Sequence, residues 1–192
     1  MSKTSTTVKT ILSLSVILIS LNSQAFFIES NILYYDNTLK SSSTTQATDI
    51  AVDLTLGLSL TKGGRSTIGW SYLSLAPTSV SGSTTITTTA TGMGPKFKYY
   101  MNKGKNWSIA LTYILNATVN YAVTSATAQE WRGTIMKLET GYTQEVSETV
   151  TAGVNLNYYS SSLSESIVST AYSTIAYSQT WIYPSFFISY RL

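Results

Sequence analysis

Seven charged residues share one parity of the segments they occupy: Glu29, Asp53, Lys96, Lys98, Lys137, Glu139 and Arg191, four cations and three anions. Near-balanced charge suits mutual neutralisation, and it lacks the single-signed ring that a selective pore favours. Other chemistry is scarce. The chain has no histidine, the commonest general base and metal ligand, and no cysteine for thiol or disulfide chemistry. Asp49 and Asp53 offer too few oxygens for calcium, which takes about six to eight. Ser and Lys could form a dyad, but no spacing singles one out. We therefore expect no enzyme and no catalytic, cofactor or metal site. The charged set is expected to form a salt-bridged plug; the rival reading is a gated polar path using the same residues.

The elements that must position these groups show a period of two. From Ile50 to Leu60 every even residue is aliphatic and every odd one is small or polar, Asp53 included. A strand sends successive side chains to opposite faces, so one face is greasy throughout. Seven further segments have β character. The first opposes Ile28, Ile32 and Tyr34 to Glu29, Asn31 and Tyr35. The third turns Ile68, Trp70 and Tyr72 outward. The fourth opposes Met93, Pro95, Phe97, Tyr99 and Met101 to Gly92, Gly94, Lys96, Lys98 and Tyr100. The fifth carries one outward parity from Trp107 through Ala117, Val119 and Tyr121 to Val123. The sixth sets Met136, Leu138 and Tyr142 against Ile135, Lys137 and Glu139. The seventh sets Val154, Leu156 and Tyr158 against Asn155, Asn157 and Tyr159. The last ends on outward Ile182, Pro184, Phe186, Ile188, Tyr190 and Leu192. Proline cannot donate to a ladder, so bulges or early strand ends are expected at Pro95 and Pro184.

Short links (62–65, 102–106 and 144–149) alternate with longer Ser/Thr-rich stretches (40–48, 77–87, 125–130 and 160–173), which reads as tight turns at one end and long loops at the other. Trp70, Tyr99, Trp107, Tyr142 and Tyr190 sit near strand ends on the greasy parity, where an interfacial girdle belongs. Large inward residues (Tyr100, Ile114, Ile135, Tyr159, Trp181, Phe187) are expected to fill the lumen. The sequons at Asn106 and Asn116 fall at or within strands and read as chance.

Ahead of the strands, Lys3 and Lys9 precede an apolar run from Ile11 to Leu21 and the small residues Ser23-Gln24-Ala25. That is the layout of a cleavable signal peptide over 1–25, leaving 26–192 as one domain. Without Lys3 and Lys9 the count is 10 basic to 9 acidic residues, so nothing favours nucleic acid. Only 11% of residues are charged, against roughly 25% in soluble domains.

The eight alternating segments, the alternating link lengths and the terminal Phe186-x-Ile188-x-Tyr190-x-Leu192 resemble the small bacterial outer-membrane barrels, such as the OmpX type, the OmpA transmembrane domain and the OmpW type. The resemblance implies an all-β, eight-stranded antiparallel up-and-down transmembrane β-barrel in the bacterial outer membrane. Its expected surroundings are outer-membrane lipid and lipopolysaccharide. Phe186, Ile188, Tyr190 and Leu192 look like the signal read by the outer-membrane assembly machinery, although such signals usually close with Phe. Members that act on lipid A or peptides use a histidine, which this chain lacks. The expected function is a structural or surface-interaction barrel with a side-chain-filled lumen and an unidentified extracellular partner. The alternatives are a narrow OmpW-like channel for small molecules and a soluble exported β-sandwich adhesin or fibre subunit.

Overall fold

The computed structural model describes residues 26–39, 45–61, 63–81, 83–124, 126–168 and 171–192; the signal peptide expected over 1–25 lies outside them. Eight strands follow one another: β1 (Phe26–Leu39), β2 (Thr45–Ser59), β3 (Ser66–Ser81), β4 (Thr84–Tyr100), β5 (Trp107–Val123), β6 (Gln129–Glu145), β7 (Val150–Val168) and β8 (Ala171–Arg191). Each is antiparallel to its neighbours, and β1 pairs with β8 to close the ring. One closed sheet excludes a two-sheet sandwich. The near rim holds the β2–β3, β4–β5 and β6–β7 turns, and there the Leu192 amide donates to the Phe26 carbonyl at 2.8 Å. Gly64 makes the first turn possible at φ 64°, a left-handed conformation that costs glycine little.

In the near half, alternation gives an exposed apolar band (Leu54, Leu56, Ile68, Phe97, Ile109, Leu111, Leu138, Leu156, Ile188) around a buried polar lumen. The strands run on well past it. They are 14 to 21 residues long, whereas a tilted strand crosses a hydrocarbon core in about 9–11 residues. In the far half the two faces exchange character. The outward series of β4 changes from Tyr99, Phe97, Pro95 and Met93 to Thr91, Thr89, Thr87 and Thr85. The inward series of β3 changes from Thr67 and Ser71 to the buried Leu73 and Leu75. Polar inside and apolar outside thus becomes apolar inside and polar outside.

Two expectations are corrected at this inversion. Most residues expected in the Ser/Thr-rich loops 77–87 and 160–173 are strand, with β3 pairing β4 up to Ser81↔Thr84 and β7 pairing β8 up to Val168↔Ala171. Threonine is β-branched and suits a strand; only its polarity made these stretches look like loops. The second correction concerns β5. Its pairing with β4 and β6 shifts by one residue around Leu115 and Asn116, both exposed, and beyond them Ala117 and Val119 point inward and are buried. A β-bulge adds one residue to one strand, which reverses every later side chain. Gly94 accommodates the bulge, since a Cβ there would stand 2.0 Å from the Tyr113 carbonyl oxygen. Pro95 borders this shift, whereas Pro184 sits in unbroken pairing with Leu156.

The expected girdle occupies the near part of the band, where Trp107 and Tyr142 meet edge to face with centroids 5.3 Å apart. A second belt bounds the band at the inversion. Tyr34, Tyr72, Tyr113 and Tyr158, one on each odd strand, are exposed and lie opposite Ile50, Met93, Met136 and Ile182 of the following even strand.

Candidate functional site: a neutral charge cluster sealed by an apolar core

The lumen of the near half is held by charges from four strands. Lys96 on β4 is the hub, its Nζ lying 2.9 Å from Glu29 Oε1 on β1, 3.0 Å from Glu139 Oε1 on β6 and 3.6 Å from Asp53 Oδ2 on β2. Lys137 on β6 pairs with Asp53 and stands 2.8 Å from Glu139 Oε1. Lys98 binds Glu29 Oε2 at 2.7 Å and lies 4.2 Å from the centre of the Phe187 ring, a favourable place for a cation. All six charged groups are at most 3% exposed. Three cations meet three anions, so the cluster is neutral.

Neutral hydrogen bonds complete it. Asp53 accepts from Ser71 and, at 3.3 Å, from Thr55. Glu29 accepts from Asn31 at 3.3 Å, and Asn31 Oδ1 accepts from Asn155 Nδ2 at 2.7 Å. Such satisfaction is needed because a buried charge without a partner costs several kcal/mol. The result is a set of cross-braces joining β1, β2, β3, β4, β6 and β7 through the barrel axis. Arg191, which shares their parity, stands apart at the near rim, where its guanidinium lies over Gly64. It is the last residue of β8 and too close to the mouth to join the cluster.

Above the cluster the lumen is closed by Leu73, Leu75, Ile114, Val119, Ile135, Tyr159 and Leu163, all at most 3% exposed. Trp131 packs on this core and lies between Tyr121 and Tyr177, each with its centroid 5.0 Å away. Tyr121 and Val119 reach the core only because of the bulge. No local signal in the sequence marks that bulge, since the polar/apolar alternation runs straight through it.

On the outside, none of the outward positions of the described strands between the near rim and the second tyrosine belt is charged. Outward charges return in the far half with Glu130, Arg132 and Glu165, Arg132 lying 2.8 Å from Glu130. Phe186, Ile188, Tyr190 and Leu192 all point outward and are exposed.

These features define the class: a closed eight-stranded up-and-down barrel with a filled, internally neutralised lumen and an uncovered apolar belt. No family model matches the sequence, and no match is found among curated proteins. Among solved structures, the crystal structure of Neisserial surface protein A (NspA) aligns over 88% of this chain and 97% of its own, with a TM-score of 0.47 and 10% identity. A likeness of that degree says nothing about activity.

Proposed function

We propose that the protein is an integral outer-membrane β-barrel with a structural or surface-interaction role, its near rim in the periplasm and its far half outside the cell. The observation that carries the reading is the uncharged aliphatic belt bounded by aromatics at both edges around a lumen of paired charges. Water would penalise that exterior, and exposed apolar patches beyond a few hundred Å² are rare on soluble monomers. Hydrocarbon removes the penalty. A closed ring is also one of the few forms whose backbone is fully satisfied in lipid.

On this reading the bilayer supplies the partners: lipid, with lipopolysaccharide in the outer leaflet. The exposed Phe186, Ile188, Tyr190 and Leu192 are then free to be read by the assembly machinery before closure. The charge cluster and the core above it both block the axis, which favours a wall-bracing lumen over a conducting one. The Thr-rich far half, with Glu130, Arg132 and Glu165 on its exterior, would offer a polar surface for contact with an extracellular partner.

Cell fractionation with gel analysis of heated and unheated samples tests the reading. The chain is expected in the outer-membrane fraction, with the unheated band migrating anomalously. Recovery in the soluble periplasm would overturn it.

A further inference from the structure

Seven of the eight seams in the wall are long, but β1 and β8 pair through only six rungs, from Phe27↔Arg191 to Ile32↔Phe186. Beyond Ile32, β1 continues to Leu39 against β2 alone, and β8 continues from Ser185 back to Ala171 against β7 alone. Pro184 gives a physical cause. It has no N–H to donate, and the ladder stops two residues short of it.

A cavity of about 130 Å³ lies at this seam, lined by Leu33, Asp49, Ala51, Leu75, Trp181 and Tyr183 from the inward parity. Ile50 and Ile182 also line it, from the outward parity. Its size is close to the roughly 150 Å³ of an engineered apolar cavity that takes up benzene or xenon. Its mouth residues belong to the second belt, opposite Tyr34 and Tyr158. At its inner end the Tyr183 hydroxyl is buried and has no hydrogen-bond partner among the described residues.

We infer that this seam is a lipid-binding site, which takes the acyl chain of a bilayer lipid from the membrane into the apolar upper lumen between β1 and β8. The inference rests on the outer-membrane reading, because hydrocarbon at the Ile50–Ile182 mouth supplies the occupant. Most of the lining suits a chain: Leu33 on β1, Ala51 on β2 and Leu75 on β3, with the Trp181 ring on β8 as the opposite wall, while Asp49, two residues beyond Ala51 on β2, sets a carboxylate at the far side. Leu33, Ala51, Leu75 and Trp181 belong to or pack on the apolar core, so an entering methylene chain meets hydrocarbon walls there. Dispersion contacts with close-packed walls then favour the bound chain.

The test uses the folded chain in vesicles of phospholipid brominated on the acyl chain, whose bromine quenches tryptophan at short range. One variant keeps Trp181 alone, with Trp70, Trp107 and Trp131 replaced by Phe. A control keeps only Trp107, which faces outward in the band. Trp181 is expected to be quenched to a degree comparable with Trp107. Ala51→Phe, which fills the cavity from β2, should abolish quenching at Trp181 and leave it unchanged at Trp107. Ala51→Leu provides a milder filling should Phe prevent folding, which the unheated gel mobility reports. Quenching of Trp107 without Trp181, or quenching of Trp181 that survives cavity filling, overturns the inference while sparing the membrane reading. Absence of quenching at both residues overturns the two together.

Discussion

At the scale of single residues, the lumen is governed by the cost of an unmatched charge. Lys96 touches three carboxylates and Lys98 only one, and Glu29 also borders the small cavity at the near rim, where water can screen it. Lys96→Met is therefore expected to destabilise the barrel by about 3–5 kcal/mol, the usual penalty for breaking a buried pair. Lys98→Met should cost less in the same urea-unfolding measurement. Adding Glu139→Gln to Lys96→Met should recover part of the loss by restoring neutrality, and strict additivity of the two would contradict the cluster. Strand periodicity alone places Glu29, Asp53, Lys96, Lys98, Lys137 and Glu139 on one face. What it cannot carry is depth along the axis or partner identity. Arg191 shows the gap, for it has the right parity but lies at the rim, and only register separates it from Lys98.

At the scale of elements, the β5 bulge decides which side chains the far core receives. Deleting Asn116 should remove the extra residue and turn Ala117, Val119 and Tyr121 to the outside. Each large apolar side chain moved into water costs roughly 2 kcal/mol, so hydrogen exchange should rise steeply in the far parts of β4, β5 and β6. The near half, with its own cluster, should keep its protection. Exchange that rises equally in both halves would mean that the bulge does not divide them. The near parts of all eight strands were legible because a lipid-type band gives strong alternation between Leu, Ile or Trp and polar residues. The far parts were not, because Thr85–Thr91 and Ser160–Ser166 give no hydrophobic contrast, and serine and threonine are also turn formers. The bulge left no mark because Thr118-Val119-Asn120-Tyr121 continues the pattern that precedes it.

At the scale of the whole molecule, one sheet serves two environments by exchanging its faces at the belt of Tyr34, Tyr72, Tyr113 and Tyr158. A charge should therefore be costly outside the near half and tolerated outside the far half. Leu111→Arg is expected to cost about 2–4 kcal/mol, as arginine does facing mid-bilayer lipid. Thr89→Arg should stay within about 0.5 kcal/mol, as surface changes usually do. Folding titrations into lipid vesicles compare them directly.

The absence of cysteine allows single spin labels to be placed along one face of one strand, and β4 crosses the inversion in regular steps. Labels at Phe97, Met93, Thr89 and Thr85 in vesicles should report oxygen collisions in excess at the first two positions. A water-soluble nickel chelate should dominate at the last two, with the crossover between Met93 and Thr89. Chelate access that is uniform along all four would contradict the two-environment barrel.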